Sequence, residues 1–261
     1  MLFKNGLIVM LAFTLCACTI PTRMRNLSIN DSFTANALKD GKMIYGGMVS
    51  SQDDWTEKQA DMYSDLARST ISSHREDIHL SEPTYLIEHL GKEEFYRIQQ
   101  EFAKNHELTK ESITKISTAS NSPRYIMFSR LLSDRVDHQE NQHENKTSDG
   151  KTERVMEYKT TRHVVVHTKV YDLISSDVVL SGEMWQNDNN TGSGSSRHNG
   201  SFLQNLVVDF LRSEPTYPEP PSLEGMLEKA FTGIAENLPH KSCKETGLAE
   251  CIKHPTKSFL W

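Results

Sequence analysis

The chain has 261 residues, 25% of them charged, and a formal net charge of −6 at pH 7. This acidic balance excludes the strongly basic surface that nucleic-acid binding requires, so no nucleic-acid partner is expected. The length suffices for one large domain or two small ones, and we expect a single domain over residues 41–240.

The N-terminus has the features of a signal peptide over residues 1–17. Lys4 supplies a positive charge, and residues 6–15 (GLIVMLAFTL) are apolar apart from Gly6 and Thr14. A run of this length is typical of the apolar part of a signal peptide. It is too short for a transmembrane helix, which needs about 20 apolar residues. The sequence therefore predicts that the protein is exported and that this segment is removed.

The residues that follow, Leu15-Cys16-Ala17-Cys18, resemble the bacterial lipobox, which has an aliphatic residue, two small residues and the acylated cysteine. The resemblance implies that Cys18 becomes the lipid-bearing first residue and anchors the protein in a bilayer. Residue Thr19 stands where an aspartate would retain an enterobacterial lipoprotein in the inner membrane. The expected location is thus the outer membrane, facing the periplasm, with the inner membrane and the cell surface as alternatives. The alternative is that Cys16 and Cys18 are cysteines of the signal segment with no role in anchoring.

The remaining two cysteines, Cys243 and Cys251, lie in a C-terminal tail over residues 241–261. In an oxidising periplasm a pair at this spacing favours a disulfide, which closes a short loop worth roughly 2–3 kcal/mol. A metal or redox pair is the alternative. It lacks a CxxC spacing, and only His240 and His254 stand near as further ligands.

The first half of the chain predicts a strand followed by helices. Residues 18–40 are polar without a sustained period, which predicts a flexible tether. Residues 42–50 (KMIYGGMVS) predict a first strand with a bulge or close backbone approach at the Gly46-Gly47 pair. A helix capped by Asp53 or Asp54 is expected up to about residue 74, and residues 82–117 continue as helices interrupted near Gly91 and Asn105.

The middle of the chain predicts a meander of three strands. Residues 124–132 (RYIMFSRLL) are apolar on both faces, as in a central strand covered on two sides. The polar residues 133–152 predict a long hairpin with a solvated end, and residues 155–173 form its return strand. A third strand is expected over residues 178–185, followed by a mobile loop rich in Asn, Gly and Ser over residues 187–200.

Two helices are predicted near the C-terminus. The spacing of apolar residues over 201–212 indicates an amphipathic helix. Its six large apolar side chains form either core or a surface for a partner, and they are the candidate partner-binding residues: Phe202, Leu203, Leu206, Val207, Phe210 and Leu211. A proline-rich connector leads to a last helix over residues 222–238, capped by Ser222. Together the elements predict an α+β fold with a mixed, largely antiparallel sheet and helices packed on it.

This order of elements, with Val170-Tyr171-Asp172-Leu173 ahead of the strand ending at Trp185, resembles a known group. It is the domain shared by the curli-secretion lipoprotein CsgG, the penicillin-binding-protein activator LpoB and the N-terminal part of TolB. The resemblance covers roughly residues 41–238. It implies an interaction or assembly module of the cell envelope, with envelope proteins as partners and without a catalytic residue.

A search for chemistry in the sequence favours no enzyme and no cofactor. Nucleophile elbows, HExxH helices and phosphate-binding glycine loops are absent. His163 and His167 share a strand face but lie about 13 Å apart, too far for one metal ion, and a surface position is expected. His138 and His143 could form a weak metal site, but a solvated charged tip is favoured. An oligomeric structural protein and a hydrolase with an unrecognised site are the alternative functions.

Overall fold

The computed structural model describes residues 23–52, 55–119, 123–146, 152–196 and 217–240. Its six strands form one sheet in the order β1-β6-β5-β4-β2-β3. Strands β2, β3 and β4 are parallel to one another, whereas the β1–β6, β6–β5 and β5–β4 pairs are antiparallel. Helices pack against this mixed sheet, so the predicted α+β class is confirmed.

The chain enters the fold earlier than the sequence indicates. Strand β1 (Arg25–Ile29) pairs with β6, and helix α1 (Ala35–Gly41) follows, capped by the Thr34 side chain. Phe33 and Leu38 are buried in the core. The prediction of a flexible tether over residues 18–40 is therefore wrong from Arg25 onward. It failed because an edge strand held by backbone pairing needs few apolar side chains.

Strand β2 (Met43–Ser50) is buried along its whole length and confirms the first predicted strand. Its register with β4 shifts between Tyr45 and Gly47, and Gly47 has a φ of 123°. A positive φ at this value suits glycine, which explains why the bulge falls on the Gly46-Gly47 pair.

The described residues between β2 and β4 form four helices. Helix α2 (Glu57–His74) begins at Thr56, which forms a capping box with Gln59, whereas Asp53 and Asp54 lie outside the described residues. Strand β3 (Leu80–Ser81) separates α2 from α3 (Thr84–Leu90), α4 (Lys92–Asn105) and α5 (Lys110–Ala119). Gly91 and Asn105 end helices as predicted.

The three-strand meander is confirmed, but its strands are longer than predicted. They are β4 (Tyr125–Lys146), β5 (Thr152–Asp172) and β6 (Asp177–Ser196), and β5 pairs with both neighbours along nearly its entire length. The expectation of a mobile loop over residues 187–200 is wrong for residues 187–196, which belong to β6. Backbone pairing with β5 holds them, although their composition is that of a loop.

Helix α6 (Leu223–Asn237) begins at Ser222, whose side chain accepts a hydrogen bond from the Gly225 N–H, as predicted. The buried Arg75 joins its far end to α2. The Arg75 guanidinium donates to the carbonyl oxygens of Ala235, Leu238 and Pro239 at 2.7–3.2 Å. These carbonyls lack partners within the helix, so a cation there stabilises the helix end.

The sheet carries a separate apolar core on each face. One core packs β2, β4 and β5 against α1, α2 and α6. The other packs the opposite side chains of the same strands against α3, α4 and α5. Tyr125 and Met127 belong to the first core and Ile126 and Phe128 to the second, which confirms the predicted two-sided burial of β4.

Candidate functional site

Three predicted sites lie outside the described residues. They are the lipidation site Cys18, the Cys243 and Cys251 pair, and the candidate partner-binding side chains of residues 201–212. Within the described ranges, no helix is long and apolar enough to cross a membrane.

The most distinctive surface in the structure is a three-stranded projection that we call the arm. It comprises residues 133–146 of β4, 152–164 of β5 and 186–196 of β6. At about 3.3 Å per residue, its β4 strand is roughly 45 Å long. Strand β2 reaches only Leu131 on β4, and β1 reaches only Glu183 on β6. Among the described residues, both outer edges of the arm therefore lack a paired strand.

The segment before α6 lies along one face of the arm. The Tyr217 ring packs on His138, with ring centroids 4.5 Å apart, and its hydroxyl donates to Glu140 at 2.5 Å. Arg162 donates to the Pro221 carbonyl and forms a double hydrogen bond with Asp134 at 2.6 Å. These side-chain contacts hold the arm to the segment before α6, in addition to the strands that join the arm to the rest of the sheet.

The opposite face of the arm is polar. Arg135 and His163 both pair with Asp137, at 2.8 and 3.3 Å, and His143 lies 3.3 Å from Glu157. Strand alternation places His138 on the Tyr217 side and His143 on this side. The two histidines therefore cannot share a metal ion. In the described part of the chain, no three His, Cys, Asp or Glu side chains are arranged to hold one.

The two edges of the arm differ in charge. The β4 edge carries several charged residues, whereas Asp188 is the only charged residue in the β6 part of the arm. Asp188 is paired with Lys229 of α6. Natural sheet edges are protected from unwanted pairing by charged residues, especially lysine, and by proline. The β6 edge has no lysine and no proline, so its sequence leaves it open to a pairing strand.

His163 and His167 lie on the same face of β5, as predicted, but only His163 is at the surface. The His167 side chain is partly buried, and its Nε2 lies 3.2 Å from the Ser181 hydroxyl. Burial, followed by the positive charge of Lys169, lowers the pKa of the His167 imidazole to about 4. The expectation of a surface pair is wrong for this residue, because it lies close to the apolar core around α4 and α5.

A crevice of 330 Å³ lies between α2, α3 and α4 at the edge of β2. Its polar lining includes Asp65 and Glu82, both of which pair with Arg68 at 2.9–3.0 Å. The Ser64 hydroxyl donates to the Ala60 carbonyl and accepts the Met48 N–H. No histidine lines this crevice and its serine is bonded to backbone, so Ser64 has no adjacent histidine base to activate it. The sequence analysis did not anticipate the crevice, because strand pairing and helix packing create it.

No protein-family model matches the chain, and a search of curated proteins finds no match. Solved structures similar to it include a PelC dodecamer from Paraburkholderia phytofirmans, with 11% identity, a TM-score of 0.31 and coverage of 77% of this chain and 91% of that one. The LpoB C-terminal domain from Salmonella enterica has 9% identity, a TM-score of 0.34 and coverage of 60% and 86%. Lipoprotein GNA1162 from Neisseria meningitidis has 7% identity, a TM-score of 0.29 and coverage of 66% and 94%. At these values the likeness assigns neither a family nor a function.

Proposed function

We propose that this protein is a lipid-anchored, periplasm-facing module that binds envelope proteins through the β6 edge of its arm, and that it is not an enzyme. The observation that carries the proposal is the long edge over residues 186–196, which has no paired strand among the described residues and carries a single charge, Asp188, that is already paired with Lys229. An extended segment of another protein can add to such an edge through backbone hydrogen bonds. The CsgG, LpoB and TolB group remains the family we propose on the sequence pattern.

The position of β1 supports a short connection to the membrane. Cys18 precedes Arg25, the first residue of β1, by seven residues. Because an extended chain spans at most about 3.6 Å per residue, these residues cover roughly 25 Å. A lipid on Cys18 would thus hold the β1 side of the sheet near the bilayer. Residue 19 is threonine and not the aspartate that retains enterobacterial lipoproteins in the inner membrane, which supports an outer-membrane location.

Replacing Cys18 by serine is expected to abolish acylation and signal removal, since serine has no thiol to accept the lipid. The precursor should fail to incorporate a fatty-acid analogue and should migrate more slowly than the processed protein. The Cys16→Ser variant is the matched control, and it should be labelled and processed normally. Fatty-acid labelling of the Cys18→Ser protein would contradict the proposed anchor.

Placing lysine on the β6 edge is expected to weaken partner binding without unfolding the domain. Asn189 and Thr191 are exposed and lie on one face of the arm. A double Asn189→Lys, Thr191→Lys variant should lose most of the partner that co-purifies with the lipidated chain, because charged edge residues oppose strand addition. Its unfolding midpoint should stay close to that of the unchanged protein.

The control is Thr161→Lys, because Thr161 is the register partner of Asn189 on the central strand β5. It adds lysine to the same face but not to the edge. Loss of the partner in the control and edge variants alike would implicate the face of the arm and count against edge pairing.

A homo-oligomeric envelope component is the second candidate, and one observation favours it. Strands β4 and β6 both run antiparallel to β5 and so parallel to each other, and within the described residues each has an unpaired edge in the arm. The β6 edge of one copy can therefore continue into the β4 edge of the next. Sedimentation of the purified chain distinguishes the candidates, since self-assembly that the double-lysine variant loses would identify a second copy as the partner.

A further inference from the structure

Arg130 carries a buried positive charge that the described residues do not neutralise. Only 6% of the residue is exposed, and Nη2 donates to the Ser51 hydroxyl at 2.8 Å. The Nε and Nη1 atoms are buried and have no hydrogen-bond partner in the described part of the chain. A guanidinium stays protonated in proteins, so Arg130 cannot relieve this arrangement by losing its proton. A buried charge of this kind is strongly unfavourable unless an anion accompanies it.

A second unsatisfied group lies on the next strand. His167 on β5 is the register partner of Arg130 on β4. Its Nδ1 atom is also buried, and no described residue hydrogen-bonds to it. Directly opposed residues of an antiparallel pair project to the same sheet face, so the two side chains stand beside each other. Two neighbouring strands thus present nitrogen atoms that need partners in the same place.

The surroundings of the pair are also positive. Lys169 and Arg130 both lower the pKa of His167, and both also lower that of His106, although burial is the first cause in each case. The His106 ring lies 6.3 Å from the His167 ring, centroid to centroid. Of the acidic residues, Glu107 pairs with Lys169 at 3.5 Å, and Glu183 acts on His167 only through its charge. No carboxylate among the described residues bonds to Arg130.

We propose that Arg130 and His167 bind a phosphate-type oxyanion, supplied as free phosphate or as a lipid headgroup. A tetrahedral oxyanion accepts hydrogen bonds from several directions, and the unsatisfied nitrogens of Arg130 and His167 do not lie on one donor fork. The bound anion neutralises Arg130 and receives a charge-assisted bond from it. His106 is the exposed member of the cluster. Neither the lipid anchor nor the arm takes part in this site.

The test measures thermal unfolding and calorimetric binding of the full chain in detergent, with inorganic phosphate against sodium chloride at equal ionic strength. Phosphate should raise the unfolding midpoint, since a ligand that binds only the folded state stabilises it. Arg130→Gln should weaken phosphate binding about tenfold or more. The protein without phosphate should keep or gain stability, because the substitution removes an unpaired buried charge. The control is Lys58→Gln, which removes one positive charge from an exposed side chain.

Two results would overturn the proposal: no response to phosphate beyond that to sodium chloride, or an undiminished response in Arg130→Gln. If Arg130→Gln does not fold, His167→Gln decides by the same measurements. The lipid source is distinguished in nanodiscs with and without phosphatidic acid. If nanodiscs with phosphatidic acid abolish the further response to free phosphate, the site is occupied by a lipid headgroup. If the response to free phosphate is equal in both kinds of nanodisc, the ligand is free phosphate.

Proton uptake provides a second measurement. Arg130 on β4, Lys169 on β5 and His106 at the end of α4 oppose protonation of His167, whereas Glu183 on β6 favours it. A bound anion favours the protonated imidazole, so binding takes up a proton. Affinity for sulfate, which stays a dianion in this range, should therefore rise as the pH falls from neutral towards about 4, the pKa of His167 in the free protein. A pH-independent affinity over that range would contradict binding by a protonated His167.

Discussion

Replacing Asp172 by alanine is expected to lower the free energy of unfolding by about 3 kcal/mol, near the lower end of the range for a broken buried ion pair. Asp172 is buried at the end of β5, and its Oδ2 accepts Arg124 Nε and Nη2 at 2.8 and 2.6 Å. Its Oδ1 accepts the Ile174 N–H. The lower end applies because Arg124 remains 35% exposed and stays partly hydrated. Urea unfolding measures the loss.

Asp137→Ala is the matched control for this prediction. Asp137 pairs with Arg135 at 2.8 Å, but both side chains are exposed on the arm. An exposed pair contributes about 0–1 kcal/mol. Equal losses in the two variants would show that burial of Asp172 does not set the strength of its interactions.

Gly46→Ala is expected to destabilise the protein by about 2 kcal/mol or more. A Cβ atom at Gly46 would lie 2.5 Å from Cε1 of Phe128, a fully buried ring in the core around α4 and α5. The Phe128 ring also packs on Phe102, with ring centroids 5.3 Å apart, so it has little space to move. Overpacking of a filled core typically costs about 1–3 kcal/mol. Thermal or urea unfolding measures the change.

Gly233→Ala provides the comparison at a second crowded glycine. Its Cβ would lie 2.6 Å from the terminal methyl group of Met184. A methionine end can rotate away, and alanine in a helix is favoured over glycine by up to about 1 kcal/mol. We therefore expect a change close to zero. A loss at Gly233 as large as that at Gly46 would mean that the Met184 side chain is as rigid as the Phe128 ring.

The sequence predicted the elements whose side chains are buried in a regular pattern. Helix α6 has an apolar stripe and a serine cap, and β4 begins with apolar residues on both faces. Strand β1 and the arm part of β6 were missed. Both are polar strands held by pairing with a neighbour distant in sequence, which leaves no periodic signal in their own residues.

The candidate sites were less predictable than the fold. Arg130 lies in a segment recognised as a strand, but its position beside His167 depends on the register between β4 and β5. The crevice beside β2 likewise depends on where β3 ends and how three helices pack. A single sequence indicates which residues are polar within a buried strand. It does not indicate which of them remain without a partner.

Site-specific photo-crosslinking tests the proposed binding edge most directly. A photoreactive residue would replace Asn189 on the exposed β6 edge, and a control would carry it at the exposed Lys58 of α2. In intact cells the Asn189 protein should form a defined crosslink to a segment of a partner or of a second copy. A probe at the exposed Ser193 on the same edge should also crosslink. Adding the double-lysine change to that Ser193 probe protein should abolish the crosslink. Crosslinks of equal yield and pattern at Asn189 and Lys58, or no crosslink at Asn189, would contradict the account.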